Sequence, residues 1–174
     1  MIFGRNGLVI SAHRELAEGD EAVIRKGMAD FIAFNDFDYI MFGGARGGDT
    51  VALAAALECR SILVRPPAAR DLKLIVVVPD TLSVQPRETW QVSQKADRII
   101  ELRHPITRTN NFWALHHRNE FMLDWVCPHG RLLAFWNGEK SGTANAIHYA
   151  RRIDLEVSTR KIQSRGFPPQ ADQR

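Results

Sequence analysis

The sequence predicts a doubly wound α/β domain, a mainly parallel sheet with helices on both faces. Three observations predict it. Short apolar runs alternate with helical patterns through the chain. One run, Lys73 to Val78, is almost wholly β-branched, as befits a strand buried on both faces. Two glycine-rich segments, Gly43 to Thr50 and Ser141 to Ala146, each stand between an apolar run and a helical pattern. That is where the strand-to-helix turns of such a sheet fall.

The elements follow in order. Gly7 to Ser11 reads as a buried first strand, and Ser11 to Arg14 turns out of it. Asp20 to Ala33 reads as a helix, with Ala22, Ile24, Met28, Phe31 and Ile32 near helical spacing. Asp38 to Phe42 is the second strand, and Asp49 to Cys59 is an alanine- and leucine-rich helix with Asp49 or Thr50 as its N-cap. After the Lys73 to Val78 strand, Pro79-Asp80 ends the run. Gln85 to Asp97 reads as a helix with Pro86 in its first turn, and Arg98 to Leu102 as a strand. Pro105 to Asn111 is polar and turn-rich, a loop expected to move. Phe112 to Val126 is a helix with Trp113, Leu115, Phe121, Met122 and Trp125 as its apolar positions, broken by Pro128-His129-Gly130. Leu132 to Trp136 is a strand, Ser141 to Ile153 a helix and Leu155 to Ser158 a last strand. Trp90, Trp113, Trp125 and Trp136 are expected in the core by spacing. One domain is expected over residues 1–160, with a polar, loosely packed tail over 161–174.

The whole-chain balance narrows the function classes. A net charge of +3 permits an anionic ligand but lacks the strong basic bias of an obligate nucleic-acid binder. Cys59 and Cys127 lie far apart in apolar surroundings, which reads as two buried free thiols in a reducing cytoplasm. No signal peptide, membrane span or zinc-ligand spacing is seen, so the expectation is a cytoplasmic chain with neither membrane partner nor metal.

The chemistry concentrates in the two glycine loops. A strand, a glycine turn and a helix start together form an anion site, because unpaired N–H groups and the helix dipole converge there. In the first loop, Gly43 and Gly44 permit a tight turn, Gly47 and Gly48 permit close approach to the backbone, and Arg46 suits a phosphate. The bland alternative is that these glycines only allow tight packing of strand against helix. In the second loop Ser141 and Thr143 offer hydroxyls and Gly142 an unobstructed N–H; the bland alternative is simple N-capping by Ser141. Ser11, His13 and Arg14 follow the first strand and are candidate pocket residues, as is Trp136 just before the second loop. Arg118-Asn119-Glu120 reads, from the bare residues, as a solvated helix face. His116 and His117 are adjacent, so they point to different faces and read as surface residues rather than a metal pair. No nucleophile elbow, zinc-protease motif or cysteine–histidine pair is present. Asp49, Glu120 and Glu139 are the available acids or bases, and the catalytic residues are left unassigned.

Four segments carry a family likeness. Gly43-Gly44-Ala45-Arg46-Gly47-Gly48-Asp49-Thr50, Arg118-Asn119-Glu120-Phe121-Met122, Leu133-Ala134-Phe135-Trp136-Asn137-Gly138 and Ser141-Gly142-Thr143-Ala144 resemble the SLOG superfamily. The likeness runs from about Gly7 to Asp154 and is strongest to the small bacterial branch related to YspA and YpsA. The superfamily also holds the Smf/DprA DNA-processing proteins and the Lonely Guy hydrolases. The resemblance implies a Rossmann-like fold and a pocket for a nucleotide or nucleotide-derived ligand. Carried over residue by residue, the contacts are Gly44, Arg46, Gly47, Asp49, Arg118, Asn119, Gly142 and Thr143. It also implies a homodimer. The Lonely Guy motif ends in a catalytic glutamate; the matching position here is Ala146, and the motif's glycine pair falls on Glu139-Lys140. The expected function is therefore binding or sensing of a small nucleotide ligand, with no required cofactor. The alternatives are an N-glycosidic-bond hydrolase and, less favoured, a single-stranded DNA binder.

Overall fold

Six strands and five helices form the domain, described in a computed structural model over residues 6–62, 72–107 and 111–163. In chain order they are β1 (Gly7–Ala12), α1 (Asp20–Phe34), β2 (Tyr39–Phe42), α2 (Gly48–Ile62), β3 (Lys73–Val78), α3 (Arg87–Ser93), β4 (Arg98–Glu101), α4 (Asn111–Val126), β5 (Arg131–Trp136), α5 (Gly142–Arg152) and β6 (Glu156–Lys161). The strands make one sheet in the order β4-β3-β2-β1-β5-β6, and every pairing is parallel. The chain winds outward from β1 to β4, then returns to β5 on the other side of β1. The winding therefore reverses between β1 and β5, the place where ligands enter sheets of this type.

Alternation along each strand builds two cores. Leu8 and Ile10 of β1 and Leu74, Val76 and Val78 of β3 face one layer, where Ile24 and Met28 of α1 and Ala52 and Leu53 of α2 pack on them. Val9, Ile75 and Val77 face the other, against Met122 and Leu123 of α4 and Ile147 and Ala150 of α5. Burying both faces of the central strands favours the parallel sheet, each fully buried aliphatic side chain contributing roughly 1.5–3 kcal/mol.

Several expected details differ. The Gln85 to Asp97 segment is not one helix: a 3-10 turn at Leu82–Val84 precedes it, Pro86 stands outside α3 as its N-cap, and the helix stops at Ser93. The stop has a cause. The Asp97 carboxylate accepts from the Leu74 N–H at 2.8 Å, and its own N–H donates to the Leu74 carbonyl, which draws the chain onto β3. Helix α2 begins at Gly48, so neither Asp49 nor Thr50 is its N-cap; the Gly47 carbonyl accepts the first helical bond, from Val51. Strand β6 runs on to Lys161, past the expected end at Ser158. Ile162 is buried, and the Gln163 N–H donates to Asp20 Oδ1 at 2.7 Å.

The buried stripe of α4 is Ala114, Arg118, Asn119, Met122, Leu123 and Val126. Trp113, expected inside, is 54% exposed, and Trp90 is also exposed, whereas Trp125 and Trp136 are half-buried against the second core. Arg118 and Asn119 are thus not a solvated face. His116 and His117 are half-buried rather than on the surface, and His117 packs against the rings of His104 and Trp113. Neither cysteine is in a disulfide, and both are only partly buried. Of the loop expected at Pro105 to Asn111, Asn111 opens α4 and residues 108–110 lie outside the described residues, as does the tail from 164 onward. Among the described residues, no helix is long and apolar enough to cross a membrane.

Candidate functional site

Parallel pairing puts the carboxyl ends of all six strands on one edge, and both glycine loops emerge there. The first loop is held mainly by the protein itself. Gly47 has φ +75, and a Cβ there would overlap the Arg14 carbonyl, so only glycine lets the β1–α1 loop lie across it. The neighbouring Gly48 N–H donates to the His13 carbonyl at 2.8 Å. Gly44 packs on the side chains of Val76 and Val78. A Cβ on Gly43 would overlap the Arg118 guanidinium and lie 2.6 Å from Asp49 Oδ2. The close approach these glycines permit is therefore met by the protein's own chain. Thr50 donates its hydroxyl to the Ala45 carbonyl at 2.8 Å, and Arg46, half exposed at the loop tip, ion-pairs with Glu15.

Beneath this loop lies a buried pair of opposite charges. Asp49 is 4% exposed and accepts from the Ala12 N–H at 3.1 Å. Burial holds its carboxyl above the usual carboxylate range, against the opposing pull of Arg118 and of the Ala12 and Ala45 N–H groups. Arg118 is 6% exposed, donates to the Gly43 carbonyl, and donates Nε–H to Asn119 Oδ1 at 2.9 Å. Burial pushes its pKa down to about 10, which still leaves it charged at neutral pH. Asn119 in turn donates to the Gly142 carbonyl at 3.4 Å. A chain of contacts thus joins the end of β1, the first glycine loop, α4 and the start of α5.

The second loop is open where the first is filled. Ser141 is the N-cap of α5, its Oγ accepting from the Ala144 N–H at 3.2 Å. Gly142 has no atom within 4 Å of where a Cβ would stand. The N–H groups of Gly142 and Thr143 open the helix, where no preceding turn supplies a carbonyl. The Thr143 side chain turns inward, 3.4 Å from the Ser11 hydroxyl. Across the gap, His13 Nε2 lies 3.5 Å from Ser141 Oγ. Burial lowers the His13 pKa, while Glu139 and Asp20 pull the other way. Trp136 donates its indole N–H to the Glu139 carbonyl at 2.6 Å, folding the loop back on itself. Arg14 and Lys140 are exposed on the same edge.

A cleft of about 290 Å³ lies beside this edge rather than between the two glycine loops. It runs between α4 and α5 and is lined by His116, Asn119, Asn145, Ala146, His148 and Arg152, among others. Sequence reasoning missed it. The available signal was the repeat Gly142, Asn145, Ala146, Tyr149, Arg152, which marks one face of a helix. Ala146, where the hydrolase motif has its glutamate, is an apolar wall of this cleft.

No protein-family model matches the sequence, and no curated protein matches it. Solved structures do. DNA processing protein A from Streptococcus pneumoniae superposes with a TM-score of 0.66 at 16% identity, over 88% of this chain and 50% of that one. DNA processing protein A from Helicobacter pylori, described for its single-stranded DNA binding mode, gives 0.63 at 16% identity, over 89% of this chain and 65% of that one. The chain therefore spans half the length of the first and just under two thirds of the second. At this identity the likeness is one of fold: the chain has the Rossmann-like α/β fold found in DNA processing protein A.

Proposed function

We propose that the chain binds a nucleotide or nucleotide-derived ligand by its phosphate, at the start of α5, and acts as a binding or sensing module. The observation that carries this reading is the open, Ser141-capped helix start at Gly142 and Thr143, set beside the reversal between β1 and β5. Backbone N–H groups and the helix dipole favour an anion there. Arg14 and Arg46 supply cations at the rim, while Asp49, Arg118 and Asn119 position the loops from below. Ser11, His13 and Trp136 belong to the surrounding wall.

Two features speak against hydrolysis of the N-glycosidic bond. Ala146 supplies no acid, and Asp49 is buried and already bonded to backbone. The resemblance to the YspA- and YpsA-related branch and the homodimer it implies are part of the same proposal. Thermal unfolding with AMP, ADP-ribose and NAD tests the reading. A rise in midpoint with concentration is expected for at least one of them, and none for adenosine-free buffer at matched ionic strength. No rise with any of the three defeats it.

Single-stranded DNA is the second reading. It is favoured by the fold likeness to a protein described as binding single-stranded DNA, and by the exposed Arg14, Arg46 and Lys140 on an open edge. It requires oligonucleotide affinity that falls steeply with salt. Mononucleotide binding without oligonucleotide binding at low salt decides for the first reading.

A further inference from the structure

The two edges of the sheet differ. β4, at one end, is four residues long, and a short edge strand resists pairing with another chain. β6, at the other end, has six residues, Glu156-Val157-Ser158-Thr159-Arg160-Lys161, and pairs with β5 on one side only. The Ile162 N–H just beyond it donates to the Trp136 carbonyl. Backbone groups of successive residues point to opposite sides of a strand in a parallel ladder, so the even-numbered residues bond to β5. Val157, Thr159 and Lys161 therefore turn their N–H and C=O groups outward. Among the described residues, no backbone group from another element bonds them there. The exposed Arg160 side chain donates to the outward Thr159 carbonyl at 3.3 Å.

A second copy of this chain fits that edge. A two-fold axis perpendicular to the sheet sets β6 antiparallel to its mate and keeps the two sheets' faces aligned. Side chains alternate between faces, so residues opposite one another must both be even-numbered or both odd-numbered. With the axis at Ser158, Glu156 stands opposite Arg160 of the partner subunit, and Val157 opposite Thr159 of the partner subunit. Val157 and Thr159 carry the outward groups, so they form the hydrogen-bonded pairs. Glu156 and Arg160 form the other pairs, in which side chains come closer. Both are exposed and lie on the α1 face of the strand, Glu156 bridging to Arg131 at 3.0 Å and Arg160 lying 5.7 Å over the Phe31 ring. Moving the axis to Val157 or to Thr159 sets Glu156 or Arg160, respectively, opposite Ser158 of the partner subunit and loses the charge pair. Opposite charges directly across a strand pair favour pairing and like charges oppose it. The opposite charges at the two ends of β6 thus make the strand complementary to itself in one register. We propose that two copies of the chain join at β6, antiparallel about Ser158, into one continuous sheet. This rests on the homodimer of the proposed function and assigns it a surface.

The test is sedimentation equilibrium on the full chain, on Glu156→Arg, on Arg160→Glu and on an equal mixture of the two variants. Wild type is expected to dimerise. Each variant alone sets like charges across both copies of the pair, and its association is expected to weaken at least about tenfold. In the mixture every pair is again of opposite sign, so a heterodimer within about threefold of the wild-type affinity is expected. Loss of folding in either variant would not be rescued by mixing. Cross-linking under oxidised glutathione checks the register, with wild type as the control for Cys59 and Cys127. Ser158→Cys is expected to give a disulfide-linked dimer, since its two Cα atoms stand about 4.5 Å apart. Thr159→Cys is expected to give none, its two Cα atoms lying about 8–9 Å apart and beyond disulfide reach. A wild type that stays monomeric overturns the homodimer and this inference together. A dimer as tight in both variants as in wild type overturns the β6 interface and leaves the homodimer standing. Weakening without rescue in the mixture, or a disulfide from Thr159→Cys and none from Ser158→Cys, overturns the register and with it the proposal.

Discussion

Arg118 shows how one side chain can stand inside a fold without being core. Its charge is buried beside that of Asp49, and its donors go to the Gly43 carbonyl and Asn119. Removing one member of such a pair strands the other. Arg118→Met is therefore expected to cost about 3–5 kcal/mol in urea unfolding, part of it recovered by adding Asp49→Asn. Asp49 also predicts a pH dependence. Its folded carboxyl titrates above the ordinary value, so its contribution is whole below the unfolded pKa and is lost as pH rises through the folded one. Asp49→Asn, which cannot ionise, should gain stability on wild type as pH rises above the ordinary carboxylate value. Parallel pH profiles for the two proteins would contradict this. The sequence could not reveal the pair, because Arg118-Asn119-Glu120 looks like any solvated helix turn until Gly43, 75 residues away, is brought beside it.

At the scale of elements, what was legible followed from periodicity. β3 was readable to the residue, because a short run rich in Ile and Val and closed by Pro79-Asp80 favours a strand over a helix. α4 was found, but its buried face was misassigned, since the face runs through two polar residues satisfied by partners on other elements. The first glycine loop looked like a ligand cradle, and its glycines lie where Arg14, Arg118 and the β3 valines come close. In the second loop the N-cap at Ser141, the bland alternative from sequence, is present. Ser141→Ala should cost about 1 kcal/mol through loss of the cap, checked by chemical unfolding. Ser141→Asp keeps a capping oxygen and adds favourable charge at the helix start, so its unfolding midpoint should match or exceed that of wild type.

The whole molecule is a sheet whose winding reverses between β1 and β5, and that reversal gathers His13, Gly47 and Gly142 from three distant stretches of chain. Alternating strands and helices made the doubly wound fold readable from sequence, and the fold likeness to DNA processing protein A agrees with it. The cleft between α4 and α5 was not readable, because it depends on how two helices sit against one sheet face. The account's central claim is that a phosphate binds the open start of α5. Titration of AMP into wild type and Ser141→Asp tests it most directly. Saturable binding to wild type, lost in a variant that remains folded because the new carboxylate repels phosphate, is the predicted result. Equal AMP affinity in both proteins, or none in either, would contradict it.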